Sequence, residues 1–184
     1  GNDEIPAGPL ANLGGDQGAF KNVVSLGLVN DAENKKMSKS RGNIVDPWAM
    51  IAKYGVDPLR WYFLTTPHGA NIPFSEADLS LVLRSTFLPL WNVYSFFVTY
   101  ANIDRPDLSA AAAAARPIAS RPEIDRWLDA KCQKLIATVT DAMDRYEVST
   151  AIKAMDQFVD RELSNWYVRR CRERFWGRTG AEDA

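Results

Sequence analysis

The sequence predicts a mainly α-helical protein with a small α+β segment at its front. Three observations carry that reading. From Glu76 onward apolar residues recur at steps of three and four, the period of an amphipathic helix. Before Glu76, short apolar runs alternate with Gly, Asn and Asp turns, as strands and loops do. Two Asp-Pro pairs, Asp46-Pro47 and Asp57-Pro58, read as helix starts, the aspartate capping and the proline preset at the first helical position.

In chain order, residues 1–19 hold five glycines and two prolines without apolar periodicity, and read as an irregular or appended start. Residues 20–75 form the α+β segment. Val23-Val24-Ser25-Leu26 and Leu28-Val29 read as short buried strands, or as one strand broken at Gly27. A helix from Asp46 to Gly55 and a second from Asp57 to about Thr66 follow. Their faces Met50, Ile51, Tyr54 and Leu59, Trp61, Tyr62, Phe63 are expected to pack on the strand, with Asn71–Phe74 as an edge strand.

Residues 76–184 read as a helical bundle. The first helix carries Leu83, Phe87, Leu90, Trp91, Tyr94, Phe97, Val98 and Ala101 as one stripe, with a kink expected at Pro89. By default such aromatics are core. Residues 104–119, with their alanine run, read as a linker. The second helix is expected to start at a Ser120–Glu123 capping box and to bury Ile124, Leu128, Cys132, Leu135, Val139, Ala142 and Tyr146. The third begins near Ser149 with the stripe Ile152, Met155, Val159, Leu163 and Trp166.

Composition bounds the function. Hydrophobic residues make up 46% and aromatics 11%, enough for a real core. The net charge of -1 gives no global pull toward nucleic acid, so any RNA affinity must come from local patches. Two cysteines, Cys132 and Cys171, are too few for a disulfide framework or a zinc cluster, and read as buried thiols. No apolar run is expected to reach a membrane span and no signal-peptide pattern opens the chain, which reads as cytoplasmic and monomeric with no membrane partner.

Two patches carry chemistry. Lys36-Met37-Ser38-Lys39-Ser40 places two ammonium groups and two hydroxyls on one loop, with Lys35 and Arg41 beside them and a Gly42-Asn43 turn after them. Lysine is a flexible point charge suited to phosphate, so the loop suits neutralisation of a departing pyrophosphate. A solvated basic turn is the bland alternative. The second patch, Arg161 to Arg178, holds six arginines against Glu162 and Glu173. It reads either as a solvated helix end that complements the dipole or as a phosphate-binding surface. His68 reads as an ordinary loop histidine.

The lysine pentapeptide with its flanks resembles the signature loop of class I aminoacyl-tRNA synthetases. Phe20-Lys21-Asn22-Val23-Val24, Leu90–Phe97, Tyr100–Asp104, Asn165–Arg170 and Arg174-Phe175-Trp176 extend the resemblance, from about Phe20 to Trp176, to the isoleucyl-tRNA synthetase family. The resemblance implies that residues 76–184 are a truncated bundle of the class I anticodon-binding type. It further implies ATP-dependent activation of isoleucine and its transfer to tRNA(Ile), with ATP and Mg2+ as substrates and no metal site in this segment. Lys39 and then Lys36 would be the catalytic cations. Met37, Ser38 and Ser40 would complete the ATP-binding loop, and Tyr167, Arg169, Arg170, Arg172 and Arg174 would bind tRNA. The family's His-x-Gly-His signature cannot be formed by the single histidine. The amino-acid pocket and editing site are also expected elsewhere, so this segment alone is expected to be inactive. A valyl relative, or a helical tRNA-binding module without chemistry, are the alternative readings.

Overall fold

The computed structural model describes residues 23–176. Residues 1–19, the expected strand start Phe20-Lys21-Asn22, and Arg178 lie outside them.

β1 (Val29–Asn30) and β2 (Ile72–Pro73) pair in parallel, Val29 opposite Ile72 and Asn30 opposite Pro73. The expected edge strand is therefore present, but the expected strand over Val23–Leu26 is not, and Val23 and Leu26 are 78% exposed. Ile72 and Phe74 donate their N–H groups to the Leu28 and Asn30 carbonyls, so position 73 faces away from β1 and a proline is tolerated there. Before β1, Leu28 is held by its N–H donating to Asn71 Oδ1 and its carbonyl accepting from Ile72 N–H. Gly27 runs so close to the 70–71 turn that a Cβ there would stand 1.9 Å from the Ala70 carbonyl oxygen. Gly27→Ala should accordingly lower stability by about 1–3 kcal/mol through overpacking. Denaturant unfolding checks this, and an unchanged midpoint would show that the turn yields freely.

α1 (Pro47–Tyr54) starts as its sequence dictates, with Asp46 Oδ1 accepting from Trp48 N–H at 3.0 Å and Gly55, at φ 88°, ending it. α2 (Val56–Leu64) differs from expectation. It starts directly after Gly55, so Asp57 lies in its first turn, where a carboxylate suits the dipole, and does not cap it. Leu59 and Tyr62 of α2 are buried with Phe74 and Leu79, and Met50, Ile51, Tyr54, Phe63 and Ile72 pack around them. Tyr62 meets Phe74 edge-on at 5.5 Å and donates its hydroxyl to the Pro73 carbonyl at 2.7 Å, fixing α2 over β2. Burial pushes the Tyr62 phenol above its ordinary range.

α3 (Glu76–Val82), capped by Ser75, runs on through a wider turn at Leu83–Phe87 into α4 (Leu88–Asp104). In the wide turn Leu88 N–H bonds the Leu83 carbonyl, five residues back, immediately before Pro89. This i→i+5 segment stands where a kink was expected, and it inserts about one residue into the helical repeat. Val93, Phe96 and Tyr100 are half-buried, and Phe96 packs on Tyr100 and Phe175 with ring centroids 4.8 and 5.0 Å away. Leu90, Trp91, Tyr94 and Phe97, expected in the core, are exposed, Trp91 by 63%. By length and composition the continuous helix Glu76–Asp104 is long and apolar enough to cross a membrane, although Ser, Thr and Asn interrupt its apolar runs.

α5 (Ala110–Ala115) lies within the expected linker. Ser120 then spends its hydroxyl on the Pro117 carbonyl at 2.8 Å, within a short 3-10 turn. α6 (Glu123–Asp144) begins only after extended Pro122, so Ser120 stands outside the helix and the expected capping box does not form. Of its expected face only Ala142 is fully buried, Cys132 is half-buried, and Tyr146 is exposed in a left-handed turn at φ 61°. α7 (Val148–Gln157), a second wide-turn segment (Phe158–Val168) and α8 (Arg169–Phe175) form the last continuous helix. It packs against both α4 and α6. Asp156 on α7 accepts from Trp61 Nε1 at 2.9 Å and from Thr86 Oγ1 at 2.7 Å, joining α2 and the first long helix to the last.

Candidate functional site

The lysine loop leaves the end of β1 and returns to α1. Asn30 Nδ2 donates to Asn34 Oδ1 at 2.9 Å and to the Asn34 carbonyl, holding Asn34 in its left-handed conformation at φ 60°. Asn30 is itself 5% exposed, and its Oδ1 accepts no hydrogen bond among the described residues. Asp31 Oδ1 accepts from Lys35 N–H at 2.7 Å, and Asp31 Oδ2 accepts from Asn43 Nδ2 at 2.7 Å. The Asn43 amide, then the Lys35 backbone N–H, hold the Asp31 carboxyl below the usual carboxylate range. Asn43 Oδ1 in turn accepts from Ser38 N–H at 2.9 Å. A short turn over Lys39–Arg41 closes at Gly42, whose φ of 67° only glycine adopts without cost.

This framework fixes the backbone and frees the cations. Met37 packs against the Leu59–Tyr62–Phe74–Leu79 core, as an apolar anchor should. Lys36 and Lys39 are exposed, and among the described residues neither ammonium has an ion-pair partner. Ser38 and Ser40 bring their hydroxyls to 3.3 Å of each other. Two mobile cations and two hydroxyls thus project from a loop with a rigid root, an arrangement that can gather round a multiply charged phosphate group. Asn30, Asp31 and Asn43 were missed as site residues in the sequence, where they read only as turn formers. The available signal was the Gly42-Asn43 pair directly after the lysines.

His68 stands apart from this loop, lining an open depression of about 350 Å³ with Val23, Val24, Ser25, Gly69 and Tyr146. No group of three or more His, Cys, Asp or Glu side chains that could hold a metal occurs among the described residues.

The arginine-rich helix divides into two faces. Inward, Tyr167 donates its hydroxyl to Asp125 Oδ1 at 2.9 Å, and Arg174 makes a two-pronged bond to Asp125 at 2.8 and 3.0 Å. Buried Cys171 lies beside them, 3.8 Å from Arg174 Nη1. Tyr167 and Arg174, both expected to meet tRNA, are thus bonded to Asp125 on α6. Outward stand Arg169, Arg170 and Arg172, all exposed. Trp166, expected to complete the buried stripe, is 44% exposed with the Arg170 guanidinium 3.7 Å over its ring. The wide turns of Phe158–Val168 explain this, because one extra residue in the repeat carries the inward face from Leu163 to Tyr167 and Cys171.

Known proteins match this arrangement. The family model for class I tRNA synthetases (I, L, M and V) matches residues 12–75, and that for the anticodon-binding domain of tRNA ligase matches residues 125–184. The isoleucine–tRNA ligase of Thermus thermophilus is 50% identical over 90% of this chain and 16% of its own length. That of Deinococcus radiodurans is 48% identical over 91% of this chain and 15% of its own, so the chain spans about a sixth of the relatives it matches. The ternary complex of Agrobacterium radiobacter K84 agnB2 LeuRS, tRNA and LeuAMS matches 82% of this chain and 21% of that one. Its TM-score of 0.51 at 23% identity is a likeness of fold.

Proposed function

Since the chain belongs to the class I tRNA synthetases, in their isoleucine–tRNA ligase branch, we propose that it supplies two working parts of such an enzyme. One is the cationic loop of amino-acid activation in residues 20–75, and the other is a tRNA-binding surface on the helices of residues 76–184. The observation that carries the reading is the pair of exposed ammonium groups, Lys36 and Lys39, without an ion-pair partner among the described residues, on a loop whose root is tied by side-chain amides and a carboxylate.

In the activation step the isoleucine carboxylate attacks the α-phosphorus of ATP, and pyrophosphate leaves with its magnesium. Negative charge grows on the bridging oxygen and the leaving group. A cation that reaches them only then lowers the barrier without merely tightening ATP binding. Lys39, carried by the short turn beyond the tied root, takes that role, and Lys36 supports it. Ser38 and Ser40 donate hydroxyls to phosphate oxygens. The terminal ribose hydroxyl of tRNA(Ile) then attacks the carbonyl of the resulting isoleucyl adenylate, the acyl–phosphate bond breaks and AMP leaves, in the cytoplasm.

We assign the tRNA phosphates first to Arg169, Arg170 and Arg172, whose side chains are exposed, while Arg174 also bonds Asp125. Glutamine at each of these three positions should weaken tRNA binding and flatten the slope of log affinity against log salt by about one per lost contact. Melting temperature should stay near the wild-type value, since exposed substitutions of this kind change stability by at most about 0.5 kcal/mol. Affinity titrations from low to moderate salt, with melting curves in parallel, check both. Unaltered salt slopes in all three variants would place the RNA contacts elsewhere.

A further inference from the structure

Asn43 joins the two ends of the lysine loop through one carboxamide. Its oxygen accepts from Ser38 N–H at 2.9 Å, while its nitrogen donates to Asp31 Oδ2 at 2.7 Å and to the Lys36 carbonyl at 3.3 Å. Asp31 is fixed in turn, donating its N–H to the Lys35 carbonyl at 2.9 Å and accepting the Lys35 N–H on Oδ1 at 2.7 Å. The backbone that bears Lys36 and Ser38 is thereby tied to the end of β1. Lys39–Arg41 hangs from this clasp as a single short turn closed by Gly42. A side chain in this place must donate on one side and accept on the other. Alanine does neither, and aspartate keeps the acceptor but sets a second carboxylate against Asp31.

Resting on the function proposed above, we propose that Asn43 is a positioning residue for the activation step. Its clasp with Asp31, Lys36 and Ser38 sets the point from which the two lysine ammonium groups reach the departing pyrophosphate. Without it the cations remain but start from a dispersed set of positions, and misplacement by about an ångström is enough to cost about 100-fold in rate.

The test uses the full-length ligase that carries this sequence, as wild type, Lys39→Ala, Asn43→Ala, Asn43→Asp and the exchange pair Asp31→Asn with Asn43→Asp. Single-turnover formation of isoleucyl adenylate is followed against ATP concentration, and transfer from preformed adenylate to tRNA is followed separately. Asn43→Ala and Asn43→Asp should slow activation about 10- to 100-fold with little change in the ATP dissociation constant, and should leave transfer unchanged. The exchange pair should recover part of the loss in Asn43→Asp, because the bond between positions 31 and 43 re-forms with donor and acceptor traded while the bond to the Lys36 carbonyl stays lost. Amide hydrogen exchange at Ser38 should quicken in Asn43→Asp and slow again in the pair. Normal activation in Asn43→Asp, or an exchange pair no better than that single variant, would overturn the clasp while leaving the proposed function standing. A wild type without isoleucine-dependent activation, or one indifferent to Lys39→Ala, would overturn both, and Ser38 exchange would then report the clasp as a structural tie only.

Discussion

Lys39→Ala in the full-length ligase should lower the rate constant of isoleucine activation about 100- to 1000-fold while the ATP dissociation constant changes little. The loss corresponds to roughly 2.7–4 kcal/mol of transition-state stabilisation, the range for removing one charge-stabilising donor from a pre-organised site. The argument lies in the geometry. Lys39 is exposed and without an ion-pair partner among the described residues, so its removal breaks nothing that holds the fold. It sits beyond the Asn43 clasp, on the short turn best able to follow charge as it moves onto pyrophosphate. A contact made only in the transition state appears in the activation rate constant, whereas one made equally in the ground state appears in ATP affinity. Single-turnover adenylate formation across ATP concentrations separates the two. A raised dissociation constant with an unaltered rate constant would make Lys39 a plain binding residue.

Asp125→Ala should lower the stability of the helical part by about 2–4 kcal/mol. The carboxylate serves both Tyr167 and Arg174, and its removal leaves a half-buried guanidinium and phenol without their shared acceptor. Burial acts to push the Asp125 carboxyl up, but its bonds from Arg174 and Tyr167 outweigh that and hold it below the usual carboxylate range. The same environment, burial first and then the bond to Asp125, pushes the Tyr167 phenol up. The sign of the pH dependence follows. A carboxyl lowered in the folded state stabilises fully above its unfolded value near pH ~4, and the contribution is lost as pH falls through the lower folded value. Melting temperature should therefore fall on acidification more steeply in wild type than in Asp125→Asn, with no difference in slope between about pH 6 and 8. Parallel slopes below pH ~4 would mean that the Asp125–Arg174 pair contributes nothing to stability.

Much of the fold could be read residue by residue. Asp46 before Pro47 specified a helix start, Gly55 a stop, and Glu76 onward a helical period, because each acts through local backbone chemistry within a few residues. The lysine loop was legible for the same reason, its meaning lying in charge density and spacing. The strand over Val23–Leu26 was not, because an apolar run becomes a strand only where a partner offers backbone groups, and the pairing with β2 begins only at Leu28. The Ser120–Glu123 box failed because α6 starts only after Pro122, which leaves Ser120 in the preceding 3-10 turn.

By itself the sequence determined the helical content, the order of the two parts, the cations of the loop and the clustering of arginines, all properties carried by short stretches of chain. Tertiary structure alone decided which side of each long helix faces inward. Past the wide turn at Leu83–Phe87 the half-buried residues are Val93, Phe96 and Tyr100 while Trp91, Tyr94 and Phe97 stand exposed, and a second wide turn at Phe158–Val168 turned Trp166 outward and Tyr167 with Arg174 inward. The reason is physical. One residue added to a helical repeat costs little locally yet rotates every later side chain by about 100°, and only packing against the neighbouring helices selects where that residue is added.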